Sequence, residues 1–254
     1  VTNESVIRGE LLLDEGDPFT NINLEKSIAK IKSRNIFNSV EKTVKNGSSD
    51  DLKIIDITVE EKPTGEISAG AGVGTTGGSF AINVSENNWM GKGNKVNFAL
   101  EVDEESISGQ VNYTNPNYDF LGNAVNYFIS SKSNDKPDQG FENTIVSAGI
   151  NTGFEQYKNI FVNLGLSASY DDLRTLDSAS SSLKKQSGEF SELAASYGLK
   201  RDTRNRAFMP TSGSVVSFDQ SIPIYADKNF ISNSFKSSFY NSLTENVIGA
   251  GKIS

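Results

Sequence analysis

Hydrophobic and polar residues alternate along most of the chain, beginning near Gly65. Across residues 95–102 and 160–166, for example, every second residue is Val, Leu, Ile or Phe. A period of two places successive side chains on opposite faces of a β-strand. The pattern predicts about ten strands, and residues 248–254 resemble the opening of an eleventh. The ten lie near residues 65–74, 78–86, 94–103, 105–114, 123–132, 143–152, 158–170, 189–200, 213–222 and 229–243.

The N-terminal region begins instead with two helical patterns. Apolar residues recur at roughly helical spacing over Ser5–Leu13. A second apolar stripe runs from Leu24 to Ile31, with Asn21 or Asn23 as the expected N-cap. The pattern predicts two helices on the same small core.

Two short strands are predicted to follow these helices, near Ser39–Lys45 and Leu52–Glu60. Two helices on a two-stranded sheet make a small domain, so we expect a further strand ahead of the first residue. Pro63 cannot donate to a central β-ladder and marks the predicted boundary between a domain at 1–62 and a second at 63–254.

Composition excludes most enzyme and metal chemistry. The chain has 254 residues and a net charge of −8, with no His and no Cys. The usual general base, thiol nucleophiles and most zinc sites are therefore ruled out. The acidic balance, without a basic cluster, argues against nucleic-acid binding. Both ends of the chain look cut, and we expect an internal piece of a longer protein.

Two architectures can give antiparallel strands one apolar and one polar face. A soluble sandwich buries its apolar faces against each other, whereas a membrane barrel turns them towards lipid. Alternate connections carry aromatic residues, while the other set is longer and polar, which favours a barrel with an interfacial girdle at one end. The aromatic residues of the first set are Trp89, Tyr118, Phe120, Phe154, Tyr157 and Phe208.

Three of the aromatic connections carry specific motifs. Glycine and proline within them suit tight turns, and Trp89 and Phe208 can place an apolar ring at the membrane surface. A charge cluster around Asp202 and Arg204 is predicted to form an ion pair in the turn. The motifs are Asn88-Trp89-Met90-Gly91-Lys92-Gly93, Asn115-Pro116-Asn117-Tyr118, and Asp202-Thr203-Arg204 followed by Phe208-Met209-Pro210-Thr211-Ser212-Gly213.

These motifs resemble, in order and spacing, the periplasmic turns of the BamA family of outer-membrane β-barrel assembly proteins, which read N-W-L-G-x-G, N-P-Y and D-x-R…F-P-T-x-G. Residues 1–62 resemble the last POTRA domain of that family, of order β-α-α-β-β, entered after its first strand. The resemblance implies a mainly β fold class: a partial POTRA domain followed by an incomplete antiparallel transmembrane barrel, about ten of roughly sixteen strands.

The resemblance also implies where the function lies. In the BamA family the first barrel strand forms a lateral gate for incoming strands, and the resemblance implies that the last POTRA strand, here Leu52–Val59, offers an edge for β-augmentation. The gate residues would be Glu66, Ile67, Ser68, Ala69, Gly70, Ala71, Gly72 and Val73. Glycine packs no side chain and loses more entropy on ordering, so such a strand pairs weakly. Gly70–Gly74 also reads G-x-G-x-G but opens no helix, which disfavours a phosphate loop.

The implied function is non-enzymatic: assembly and insertion of β-barrel proteins into an outer membrane, without a cofactor, with the POTRA portion in the periplasm. Expected partners are unfolded outer-membrane protein clients, accessory assembly lipoproteins and outer-membrane lipid. Three alternatives stay open. They are a transporter of the same architecture (translocation-assembly or two-partner-secretion type), a passive porin-like channel, and a soluble sandwich lectin or adhesin.

Overall fold

The described residues form two separate sheets, one of two strands and one of eleven. The predictions for Phe120, Phe208 and Ser254 lie outside the described residues. Among the residues that are described, no helix is long and apolar enough to cross a membrane. The computed structural model describes residues 1–49, 52–74, 77–119, 122–206, 209–244 and 247–253.

The N-terminal domain has the predicted helix-helix-strand-strand order. Its elements are α1 (Glu4–Arg8), α2 (Asn21–Ser33), β1 (Phe37–Asn46) and β2 (Lys53–Glu61). β1 and β2 pair antiparallel, and α2 packs against them through its apolar stripe. Burial of that stripe is what holds the helix, because short helices gain little stability from propensity alone. The core consists of Val6, Leu24, Ile28, Ile31, Ile36, Phe37 and Val40.

Two details of the predicted helices are wrong. The first helix was expected over Ser5–Leu13, but α1 ends at Arg8, and the following leucines turn onto the core as irregular chain. There the Leu12 amide donates to Ser27 Oγ at 2.8 Å instead of to a helical carbonyl. The N-cap of α2 is Thr20, not Asn21 or Asn23, because Thr20 is the last extended residue and its Oγ1 accepts from the Asn23 amide at 3.3 Å.

The large sheet consists of antiparallel strands that neighbour each other in chain order. Its first strand has the predicted bounds, several others are longer than predicted, and the expected eleventh is present. A short helix, α3 (Ser181–Lys184), and a 3-10 turn at Pro137–Gln139 lie in two of its connections. The strands are β3 (Gly65–Gly74), β4 (Gly77–Trp89), β5 (Asn94–Asp103), β6 (Ser106–Asn115), β7 (Ala124–Lys136), β8 (Phe141–Tyr157), β9 (Ile160–Thr175), β10 (Gly188–Asp202), β11 (Gly213–Ala226), β12 (Ser232–Thr244) and β13 (Val247–Ile253).

The register of the strands separates an apolar face from a polar one. Directly paired residues share a face, so each register row shows what that face presents. One row across the first five strands is apolar, and the adjacent row, on the opposite face, is polar or small. The first row is Ile67, Val84, Phe98, Val111 and Ile129, and the second is Ser68, Asn83, Ala99, Gln110 and Ser130.

No protein layer covers the apolar face within the described part of the chain. Of the ten buried hydrophobic residues there, seven belong to the N-terminal core. On the apolar face Ile67 is 73% exposed and Ile129 is 62% exposed. A soluble sandwich would bury these side chains against a second sheet, so the structure excludes that alternative and fits a sheet whose apolar face meets lipid.

Placing a charge on the apolar face should block folding into a membrane. In the intact protein, Ile129→Arg is expected to cost about 2–4 kcal/mol because the cation would have to enter hydrocarbon. The measurement is the folded fraction in lipid vesicles, read from heat-modifiable gel mobility. Ser130→Arg is the matched control, since the neighbouring residue faces the polar side. Equal losses for both variants would show that the two faces are not distinguished by lipid.

The N-terminal core should depend on the buried side of α2. Ile31 is fully buried and Ile22, on the same helix, is exposed. Ile31→Ala is expected to lower the free energy of unfolding of this domain by about 2–5 kcal/mol through lost burial and a residual cavity. Ile22→Ala should change it by less than about 0.5 kcal/mol. Native-state hydrogen exchange of the α2 amides measures both, and similar effects would contradict the packing described here.

Candidate functional site: the open edge of the sheet and the turns beneath it

The first strand of the large sheet lies at an edge of the sheet that the described residues form. β3 pairs with β4 in continuous register, from Gly65 opposite Glu86 to Gly74 opposite Gly77. No strand among the described residues pairs with the other side of β3, nor with the outer side of β13. The predicted gate residues, Glu66 to Val73, therefore lie together on an edge strand and are all exposed.

β3 makes few side-chain contacts with the rest of the sheet. A Cβ built at Gly70 or Gly74 would meet no heavy atom within 4 Å. The largest side chains of the strand, Ile67 and Val73, are 73% and 92% exposed. Backbone hydrogen bonds to β4 thus supply most of the attachment of this strand, as its glycine content predicted.

The beginning of β3 is fixed more firmly than the rest of the strand. The Glu86 carboxylate accepts hydrogen bonds from the Thr64 hydroxyl and, at 2.7 Å, from the Asn88 amide. The Asn87 side chain and backbone amide both donate to the Thr64 carbonyl at 3.3 Å. The residue that leads into β3 is therefore tied to the end of β4.

The first turn motif lies where the N-terminal domain approaches the sheet. Asn88 orders the turn, since its Oδ1 accepts from the Gly93 amide at 2.7 Å. Gly91 and Gly93 have φ values of 70° and 67°, which favour glycine. A Cβ at Gly91 would lie 2.2 Å from the Val1 carbonyl oxygen, and one at Gly93 would lie 2.5 Å from Arg34 Nη2. Both glycines are thus required by the turn and by the close approach.

The second turn motif also faces the N-terminal domain. The Asn115 side chain accepts from the Asn117 amide at 3.1 Å and so shapes the turn around Pro116. This arrangement directs Asn117 Nδ2 towards Glu10 Oε1, which it contacts at 2.6 Å. Tyr118 is 62% exposed at the same end of the sheet.

The third turn motif is organised by its own side chains. Arg204 holds Asp202 in a two-bond fork, at 2.9 Å from Nε and 2.6 Å from Nη2. Asn205 spans the connection, with its Oδ1 accepting from the Thr211 amide at 3.1 Å. Gly213 has a φ of 98°, and a Cβ there would lie 2.2 Å from a carbonyl oxygen across the turn.

The predicted turn residues therefore divide into two groups. Those of the first two motifs adjoin the N-terminal domain, whereas the hydrogen bonds described for the third motif lie within its own turn. Trp89, 43% exposed, and Pro210, partly buried, lie in their respective connections. No described contact gives either of them a role beyond the turn itself.

A buried ion pair connects the N-terminal domain to the first two turns. Arg34 Nε lies 3.4 Å from Glu10 Oε1, and the two side chains are only 11% and 6% exposed. Arg34 Nη2 also donates to the Gly93 carbonyl at 2.7 Å. Burial lowers the pKa of the Arg34 guanidinium, and the charge of Glu10 acts in the opposite direction. We call Glu10, Arg34, Gly93 and Asn117 the joint.

Sequence reasoning missed three members of the joint: Glu10, Arg34 and Asn117. Their contacts join residues 59 and 107 positions apart in the chain. A polar residue on a short domain carries no local signal of such a partner. The position of Asn117 inside a recognised turn motif was the single available hint.

Two protein-family models match the chain. Residues 88–254 match the Omp85 superfamily domain, and residues 1–62 match the POTRA model, described as a surface antigen variable number repeat. The outer membrane protein assembly factor BamA of Neorickettsia risticii (strain Illinois) is 24% identical over 272 residues, covering 99% of this chain and 35% of that relative. The chain thus spans about a third of this curated relative.

Solved structures share the fold. The crystal structure of BamA from Haemophilus ducreyi lacking POTRA domains 1-3 superposes with a TM-score of 0.81 at 20% identity, over 96% of this chain and 50% of that one. CdiB from Escherichia coli gives a TM-score of 0.59 at 12% identity, over 99% of this chain and 51% of that one. The chain belongs to the Omp85 superfamily, as a BamA-type outer-membrane protein in which a periplasmic POTRA portion precedes the strands of a β-barrel.

Proposed function

We propose that this protein assembles β-barrel proteins and inserts them into the outer membrane, and that it is not an enzyme. The observation that carries the proposal is the glycine-rich first strand β3, whose residues are all exposed and which makes few side-chain contacts with β4. The similarity to a protein named as an outer membrane protein assembly factor supports it. Unfolded outer-membrane proteins would be the clients, and accessory lipoproteins and outer-membrane lipid the further partners.

The physical reason lies in the backbone. Within hydrocarbon, each unpaired N–H or C=O group costs several kcal/mol, so a strand edge in a membrane strongly favours pairing. An incoming client strand has the same unpaired groups. Pairing with β3 satisfies both by β-augmentation, in which main-chain bonds give the affinity. The small residues from Ser68 to Gly72 place little steric restriction on the client sequence.

The same edge would work as a lateral gate. The start of β3 is tied through Thr64 to Glu86, while the glycines at 70, 72 and 74 leave the later half held mainly by backbone bonds. Opening would therefore begin at the glycine end and leave the strand attached at the other. No nucleotide is required in this scheme, because client burial and strand pairing supply the driving force.

The POTRA portion would offer a second edge. Leu52 and Ile54, at the start of the predicted edge Leu52–Val59, are 54% and 51% exposed. The main-chain groups of an exposed strand edge can bind a client or an accessory lipoprotein by β-augmentation. This edge would receive a client before the barrel edge does.

A protein transporter of the same architecture is the second candidate. The structural similarity to CdiB, at a TM-score of 0.59, favours it over a passive channel. Reconstitution with an unfolded eight-stranded barrel client discriminates between the two. An assembly factor accelerates insertion of that client, whereas a dedicated transporter does not.

Client strands should cross-link to β3 and not to an internal strand. This chain has no native Cys, so an introduced thiol is unique within it, and any Cys elsewhere in the intact protein is replaced by Ser. Ser68→Cys places it on the edge, and Ser147→Cys, on the same face of β8, is the matched control. With a client carrying one cysteine in its terminal strand, a disulfide is expected at position 68 alone. Productive insertion without any adduct at position 68 would contradict the gate.

Strengthening the pairing of β3 should slow client insertion. Gly70→Val adds strand preference where a Cβ meets no obstacle. The expected gain is about 0.5–1 kcal/mol, equivalent to about two- to fivefold slower insertion if opening limits the rate. Gly109→Val, at a similarly open site in β6, is the control. Insertion kinetics in lipid vesicles measure the effect, and an unchanged rate for Gly70→Val would show that β3 opening is not limiting.

A further inference from the structure

The POTRA portion and the barrel strands, here called the two modules, are connected by a very short stretch of chain. The Lys62 amide donates to the Ile36 carbonyl of the POTRA portion at 3.3 Å. Thr64 is bonded to Glu86 at the end of β4. Pro63 is thus the single residue between an attachment to one module and an attachment to the other. A hinge at one residue leaves the angle between the modules undetermined unless a second contact fixes it.

The joint supplies that second contact. Each member of one ion pair forms a hydrogen bond to a different turn, and both turns lie at the same end of the sheet. Arg34 bonds to the Gly93 carbonyl of the β4–β5 turn, and Glu10 accepts from Asn117 of the β6–β7 turn. Two further bonds reinforce the first turn: the Asn3 amide to the Gly91 carbonyl, and the Asn88 side chain to Thr2, both at 2.8 Å.

Burial makes this ion pair sensitive to the loss of either partner. Removing one member of a desolvated pair leaves the other charge buried without compensation, which is strongly unfavourable. If the modules separate, water can reach both groups instead. A variant that lacks one charge therefore favours separation, while the parent favours contact.

We propose that the Glu10–Arg34 ion pair fixes the orientation of the POTRA portion against the barrel by holding the β4–β5 and β6–β7 turns together. It gives the N-W-M-G and N-P-N-Y motifs a shared role as the barrel half of this contact. The proposal concerns the geometry between the modules, so it can fail while the proposed assembly function stands. The assembly function can likewise fail while the ion pair still fixes the orientation.

The test measures the distance between the two modules. This chain has no native Cys, so Lys26→Cys on α2 and Lys158→Cys in the β8–β9 turn, both exposed, give two spin-label sites in a form of the intact protein without any other Cys. Electron–electron resonance on the intact protein in lipid bilayers should show a single narrow distance distribution. With Glu10→Gln, we expect the ratio of docked to separated molecules to fall by about tenfold or more.

Two further variants control for folding and for general charge effects. Arg8→Gln removes a surface ion pair to Glu4 and Glu15 on the same module and should leave the distribution narrow. Asn117→Ala lies on the barrel, leaves the POTRA sequence intact, and should broaden the distribution by removing one partner of Glu10. A distribution that is broad in the parent, or that stays narrow in both Glu10→Gln and Asn117→Ala, would overturn the proposal.

Discussion

The constraint on which this structure depends is that every backbone polar group in an apolar surrounding needs a partner. In the described part of the chain, eleven strands are paired in chain order, each antiparallel to the next, and this arrangement satisfies the requirement without a crossover. The same requirement decides how a strand edge behaves in a membrane. Along β3 the backbone groups that point away from β4 lie in one row, and a row of that kind recruits another strand. The proposed function uses this row, in a strand that side chains hold only weakly.

A group of polar interactions lies near the start of this strand. Side-chain oxygens order the turns at the POTRA end, where Glu86, Asn88 and Asn115 each accept backbone N–H groups. The start of β3 is attached to the same set of contacts through Thr64. The contacts that position the POTRA portion and the contacts that anchor the start of β3 therefore both lie at the same end of β4.

The sequence predicted the features that depend on neighbouring residues, and it missed those that depend on residues far apart in the chain. Alternation along a strand is a local signal, so β3 was predicted with its observed bounds and the weak packing of its glycines was anticipated. Ser27 Oγ captures the Leu12 amide across the core, and no local pattern announces such a bond, so the first helix was predicted too long. Glu10 and Arg34 were missed for the same reason, since their partners lie in barrel turns far along the chain. The turn motifs were recognised, but their contact with the POTRA portion was not foreseen.

Hydrogen exchange of the β3 amides in the presence of a client tests the central claim most directly. In the intact protein in lipid bilayers, amides of residues 65–74 should exchange faster than those of the internal strand β8, residues 141–157, because the glycines of β3 leave it with few side-chain contacts. Binding of an unfolded barrel client should then protect β3 and leave β8 unchanged. Protection of β3 that equals that of β8 before the client is added, or β3 amides that stay unprotected while the client inserts, would contradict the account.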